Sequence, residues 1–152
     1  MAGRWLGTAA ALVVTLAAGT ALGAGVADVI KARQAGYKAQ GAAFKTITDE
    51  MKKDAPSVPA IKTATKTIVD TSKLQYKWFP KGSGPEAGVK TAAKAEIWAD
   101  PQGFSAAQKG FETEAAKLGK AAASGDLGQI RAQVAPTGKQ CAGCHNKFRE
   151  KS

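Results

Sequence analysis

Beyond residue 25, apolar side chains recur at steps of three, four and seven residues, and apolar and polar residues nowhere alternate for long. This spacing is typical of amphipathic helices and argues against strands. The first predicted helix runs from about Val26 to Lys53. Its heptad positions are Ile30, Tyr37, Phe44 and Met51, with Ile47 between them. We therefore expect an all-α chain in which each helix turns one apolar face inward.

Three further segments carry the same periodicity. The second, third and fourth predicted helices are Val58 to Phe79, Phe104 to Ser124 and Leu127 to Phe148. Asp126 is expected to cap the fourth helix at its N-terminus. Pro136 lies inside the fourth helix and removes one backbone donor, which predicts a kink or a break there.

The lengths of these helices and their mostly short connections predict an antiparallel, up-down-up-down four-helix bundle. Residues 81–103, which are rich in Gly and Pro, form the one long connection. Many inward positions are Ala, Gly or Thr, so the helices alone would leave a void in the core. A bound group is expected to fill it.

Composition and charge limit the classes of binding partner that the chain could have. The chain has 152 residues, of which 44% are hydrophobic, as expected for one globular domain. It carries 22 Lys and Arg against 12 Asp and Glu, a formal net charge of +10. The lysines are spread from residue 31 to residue 151 without a dense block, so we expect no nucleic-acid partner.

The first 24 residues are typical of a signal peptide. Arg4 is followed by an uncharged run from Leu6 to Ala24, which ends in small side chains. Cleavage after Ala24 would leave a domain of residues 25–152, located in the periplasm and without membrane attachment. The alternative is a permanent N-terminal membrane anchor. The run is mainly Ala, Gly and Thr, however, and would be only a weak anchor in a bilayer.

The candidate chemistry lies near the C-terminus, in Cys141-Ala142-Gly143-Cys144-His145. C-x-x-C-H is the attachment motif of c-type haem. On a helix, positions three and four apart share a face, so both thiols could bind one haem while His145 reaches the iron. A dithiol redox pair and a structural zinc site are the alternatives. Zinc would need further ligands, and the chain has no other Cys or His.

Several segments together resemble the cytochrome c′ family of class II c-type cytochromes. They are residues 30–37, Trp78-Phe79-Pro80, Glu96-Ile97-Trp98, Cys141 to His145, and Lys147-Phe148-Arg149. The resemblance implies an antiparallel four-helix bundle with one covalent haem c near the C-terminal end of the last helix. It also implies a homodimer, and it places Arg149 beside the proximal face of the haem.

The function depends on whether a second protein side chain binds the iron opposite His145. His145 is the only histidine, and Met51 lies 14 residues beyond Tyr37, about 21 Å further along the first helix. We therefore expect a five-coordinate, high-spin iron with Tyr37 beside a vacant distal site. The alternative is a six-coordinate, low-spin electron carrier like cytochrome c-556, a relative in which a Met occupies the place of Tyr37.

Four other residues are expected in the haem pocket. They are Arg33, Gln34, Trp98 and Arg149. Arg33 would suit the haem propionates, since a guanidinium pairs well with carboxylates. The expected ligands are small neutral gases, nitric oxide and carbon monoxide, and a periplasmic redox partner is a further expectation. An enzyme would need a distal acid–base residue, usually His, so we expect no enzymatic activity.

Overall fold

The computed structural model describes residues 21–151, with side chains from residue 25 onward. Its helices are α1 (Ala21–Glu50), α2 (Val58–Leu74), α3 (Glu96–Ala99), α4 (Pro101–Ser124) and α5 (Leu127–Phe148). Two short 3₁₀ turns span Gln75–Lys77 and Pro85–Ala87. The fold is all-α, as predicted. The predicted signal peptide lies outside the described residues, except for the backbone of 21–24, which begins α1.

Side-chain caps fix where the helices begin. The Asp126 carboxylate accepts a hydrogen bond from Gln129 N at 3.0 Å, which confirms the predicted N-cap of α5. The Asp100 carboxylate accepts from Gly103 N at 2.9 Å in the same way. The third long helix therefore begins three residues before the predicted position, because Asp100 caps it and proline is well suited to the first helical turn.

Contacts between α1 and α5 establish that they run antiparallel. At one end, the Arg131 guanidinium donates to Met51 O at 3.4 Å. At the other end, Tyr37 and His145 line the same cavity. The helices follow one another with short turns between α1 and α2 and between α4 and α5, so the predicted up-down-up-down bundle is confirmed.

Of the two outcomes predicted at Pro136, a kink or a break, the break does not occur, since α5 runs on through this residue. Only one backbone hydrogen bond is lost at a proline, and packing on both sides supports the helix. Thr137 is fully buried, and its hydroxyl donates to Gln133 O at 2.9 Å. Val134 packs against the buried core.

Buried apolar residues form two clusters. The main cluster fills the middle and one end of the bundle: Ala43, Ile47, Ile61, Ala64, Ile68, Phe111, Ala115, Leu118, Ala121, Ala122 and Ile130. Met51 packs against the main cluster, as predicted. The end cluster, at the C-terminal end of α5, is Ala93, Ile97, Phe104 and Phe148, with Phe79 and Trp98 against it. Within the described residues, no helix is long and apolar enough to cross a membrane.

The connecting segment, residues 78–100, closes the end of the bundle beside the end cluster. It contains the Pro85–Ala87 turn and α3, and α3 buries Ile97. Two backbone hydrogen bonds tie it to the end of α5, from Lys94 N to Phe148 O at 3.1 Å and from Glu150 N to Ala92 O at 2.8 Å. The long connection predicted from the sequence is therefore an ordered wall of the bundle.

Candidate haem-binding site

A cavity of about 600 Å³ lies between the helices at the C-terminal end of α5. A close-packed interior contains no void of this size, whereas ligand pockets do have it. Its wall is mainly apolar and comes from α1, α2, α4, α5 and the connecting segment. The cavity is the void that the small inward residues predicted, and it accommodates a large apolar group.

The predicted motif supplies one wall of this cavity. Cys141, Cys144 and His145 all line it from α5, because steps of three and four place them on one helical face. Both cysteines are free thiols and are partly buried. The Cys141 thiol donates to Thr137 O at 3.6 Å, and Cys144 packs against the end cluster. Two thiols and one imidazole facing the same apolar cavity are the groups that attach a c-type haem.

Burial also sets the protonation of these groups. It raises the pKa of the Cys141 thiol, and it raises the pKa of Cys144 to about 11. Burial, together with the positive charge of Arg149, lowers the pKa of His145 and so favours the neutral imidazole that binds metals. Between residues 21 and 151 no cluster of three His, Cys, Asp or Glu side chains could hold a metal ion. This donor set suits covalent haem attachment better than zinc.

Tyr37 faces the cavity from α1, across from the motif helix. Its ring meets the Trp78 ring edge-on at a centroid distance of 5.0 Å and lies 6.2 Å from the Phe79 ring. Burial raises the pKa of the Tyr37 phenol far above neutrality. The side chain is therefore an uncharged phenol, which is a weak ligand for iron.

Arg33 lies one turn before Tyr37 and is only 3% exposed. Its guanidinium donates to Trp78 O at 3.2 Å, to Ser83 O at 2.9 Å, to the Ser83 hydroxyl at 3.3 Å and to the Thr91 hydroxyl at 2.8 Å. It also lies over the Phe79 ring, 4.7 Å from the centroid. Arg33 thus anchors the connecting segment to α1, a contact that the sequence did not predict.

No carboxylate of the described residues compensates the charge of Arg33. It forms no ion pair with any carboxylate of residues 25–151, and burial lowers the pKa of the guanidinium. A buried cation is costly unless an anion lies near it. Since Arg33 also lines the cavity, the acidic side chains of a bound haem would supply that anion.

The remaining predicted pocket residues differ in their placement. Gln34 lines the cavity and donates to Lys90 O at 2.9 Å, and Arg149 lines it beside His145. Trp98 does not line the cavity, contrary to expectation. Its indole instead donates to Phe79 O at 3.3 Å and to Pro80 O at 3.2 Å, and its ring lies 6.3 Å from the Phe79 ring, because these bonds hold it against the connecting segment.

Sequence reasoning missed Gln75. It lines the cavity and is only 3% exposed, and its amide nitrogen donates to Ser72 O at 2.8 Å and to Gln108 O at 3.1 Å. The spacing of Gln75 from the apolar residues of the second helix could have indicated that it is buried. Gln75 comes seven residues after Ile68 and four before Phe79, so it occupies a position on the apolar face of the second helix.

The fold and the site together define a helical-bundle protein with a covalently attached haem. A sequence model described as Cytochrome C′ matches residues 28–149, so the chain belongs to the cytochrome c′ family. Proteins of this family carry haem c, and this chain carries it as a member.

Individual relatives agree with the family assignment. The chain is 36% identical over 125 residues to cytochrome c′ of Rubrivivax gelatinosus, covering 82% of this chain and 95% of the relative. It is 34% identical over 125 residues to cytochrome c′ of Alcaligenes xylosoxydans xylosoxydans, covering 82% and 94%.

Solved structures extend the likeness to the fold. The crystal structure of the Rubrivivax gelatinosus protein matches with a TM-score of 0.76 and 32% identity, over 82% of this chain and 97% of that one. A ferrous variant of the Alcaligenes xylosoxidans cytochrome c′ with bound nitric oxide matches with a TM-score of 0.74 and 29% identity, over 84% and 97%.

Proposed function

We propose that this protein is an exported cytochrome c′ whose five-coordinate haem iron binds small neutral gases, nitric oxide and carbon monoxide, on the face beside Tyr37. One observation carries the proposal. The cavity wall presents a histidine, His145, from α5, and from α1 across the cavity it presents Tyr37. Neither a second histidine nor Met51 is in that wall.

The residues of α5 would hold the cofactor. The haem, when bound, supplies an iron atom that binds gases and changes oxidation state. Cys141 and Cys144 would each form a thioether by adding a thiol across a haem vinyl group, and the neutral imidazole of His145 would bind the iron. Arg149, the extended C-cap residue of α5, lines the cavity together with His145 and would flank the haem on that side.

The opposite wall would select the ligand. Tyr37 is held as a neutral phenol in a mainly apolar wall, and the acidic side chains of the haem would engage Arg33, so an anionic ligand would lose its hydration without gaining a cationic partner. A neutral diatomic gas avoids that penalty. The nitric oxide complex of the Alcaligenes xylosoxidans relative supports the same ligand class.

A six-coordinate electron carrier is the alternative. It would need a second protein ligand for the iron, and Met51 packs against the main cluster near the other end of the bundle. Electron exchange with a periplasmic redox partner, docked on the basic surface, is compatible with either coordination state and belongs to the proposal as a further role.

Export and self-association complete the proposal. The signal-peptide sequence of residues 1–24 supports secretion to the periplasm, and the family resemblance supports a homodimer. Mature protein should begin near Gly25 and carry one haem, which the intact mass will show. Sedimentation will give the oligomeric state.

The optical spectrum tests the central claim. Ferric and ferrous holoprotein should show five-coordinate, high-spin haem, and the ferrous form should bind carbon monoxide. Tyr37→Met should place a thioether near the iron, shift the spectrum towards six-coordinate low spin and weaken carbon monoxide binding. Tyr76→Met is the matched control, because Tyr76 is 44% exposed and outside the cavity wall. A low-spin spectrum of the unmodified protein would refute five-coordination.

A further inference from the structure

The Trp78 ring lies directly against the backbone of α1. A Cβ atom added at Gly36 would overlap Cη2 and Cζ2 of the indole and would stand 3.1 Å from Cζ3. Only glycine, which lacks a Cβ, lets the ring come this close. Trp78 itself is 8% exposed, so the indole fills a closed space between α1 and the connecting segment.

This indole also confines Tyr37, the next residue after Gly36. The two rings meet edge-on at 5.0 Å with an interplanar angle of 74°, and Phe79 contacts Tyr37 at 6.2 Å. Tyr37 and Phe79 line the cavity, whereas Trp78 does not. Trp78 therefore occupies the space into which the Tyr37 ring would have to move in order to leave the cavity on that side.

The indole cannot move away easily, because its own backbone is fixed. The Arg33 guanidinium donates to Trp78 O at 3.2 Å and to Ser83 O at 2.9 Å, which ties the connecting segment to α1 one turn before Tyr37. Tyr37 has only a few staggered side-chain conformations, and the fixed indole removes the space that another of them would need.

We propose that Trp78 is a positioning residue for gas binding: by filling the space above Gly36 it keeps the Tyr37 ring in the cavity, and so it limits the rate at which a gas reaches the iron. The inference rests on the proposed function, since it concerns the same haem face. Trp78 acts through Tyr37 and does not itself contact the ligand cavity.

The test compares two tryptophans. Trp78→Leu should free the space beside Tyr37 and speed carbon monoxide association with reduced holoprotein on the order of tenfold, as expected when the population of the open ring conformer rises by that factor. Trp98→Leu is the matched control. Trp98 packs on Phe79 but, unlike Trp78, not on the Tyr37 ring, so this change should leave the association rate as it is.

A crystal structure of the Trp78→Leu protein provides a readout independent of gas binding. The Tyr37 ring should occupy the space left by the indole, alone or as a second conformer. If Trp78→Leu fails to fold, Trp78→Phe keeps an aromatic ring and should give a smaller increase of the same sign.

Three results are decisive. An unchanged carbon monoxide rate in the Trp78 variants, or an equal increase in Trp98→Leu, overturns the inference, as does a Tyr37 ring that stays in place in the crystal. If the unmodified protein binds no carbon monoxide, the proposed function fails, while the position of Tyr37 in Trp78→Leu still decides whether Trp78 confines that ring.

Discussion

Replacing Gly36 with alanine should destabilise the protein, although the same change in an exposed helix normally stabilises it. Gly36 lies in the interior of α1, where alanine is favoured over glycine by about 1 kcal/mol. The Trp78 ring reverses the sign of the expected change in the free energy of unfolding, because it occupies the place that the alanine Cβ would take.

The expected size follows from two opposing terms. Forcing an extra carbon into a packed site typically costs about 1–3 kcal/mol, since side chains and backbone must shift. The indole has little freedom to shift, because Tyr37 lies against its ring and Arg33 holds its carbonyl. Subtracting the helix preference of about 1 kcal/mol leaves a net loss on the order of 1 kcal/mol. For a domain of this size that lowers Tm by about 4 °C.

Unfolding of the holoprotein by urea and by heat will measure this loss. The same Gly36→Ala change made together with Trp78→Leu provides the control, because the obstructing ring is then gone. In that background the alanine should stabilise the protein by about 1 kcal/mol relative to Trp78→Leu alone. If Gly36→Ala stabilises the otherwise unmodified protein, the close packing of Trp78 on α1 is refuted.

Three further predictions concern attachment, register and acid stability. Cys141→Ser or Cys144→Ser should leave haem held by one thioether or lose it, as mass and pyridine haemochrome spectra will show; normal attachment in both variants would contradict the site. Met51→Leu should leave the haem spectrum unchanged, whereas a change of spin state would show that the thioether reaches the iron. The Lys53 ammonium and the Ser57 amide lower the pKa of the Glu50 carboxyl, so its stabilising effect is complete above its unfolded pKa and is lost as the pH falls through the folded value. Unfolding by urea at neutral pH and near pH 3 should therefore show a deficit for Glu50→Gln that shrinks in acid; a constant deficit would argue against the charge.

The bundle itself could be predicted because its signals are local. Heptad spacing identifies four helices, and a capping aspartate such as Asp126 marks a boundary. The prediction of a possible break in the last helix was wrong, because tertiary packing overrides local preference there. Pro136 removes one hydrogen bond, but the buried Thr137 beside it and the contacts of α5 with its neighbours keep the helix continuous.

The site residues, too, could be predicted where the signal is local and could not be predicted where tertiary contacts set their position. Cys141, Cys144 and His145 lie within one helical turn or so, and their common face follows from helix geometry alone. To predict that Tyr37 lies level with His145, the register between the first and last helices is needed. The order of the elements provides it, because these two helices run antiparallel. Trp98 could not be placed, because the connecting segment has no periodicity and its path is set by tertiary hydrogen bonds.

The distribution of large aliphatic side chains explains why the cavity lies where it does. All but one of the fully buried large aliphatic residues belong to the main cluster, namely Ile47, Ile61, Ile68, Leu118 and Ile130, so that part of the bundle is filled by the protein itself; the exception is Ile30. Beside the motif, the walls include small residues such as Gly41. Aromatic rings surround the remaining space at the end cluster. The two ends of one bundle are thus built differently: one is packed by its own side chains, and the other encloses a mainly apolar cavity that suits the haem.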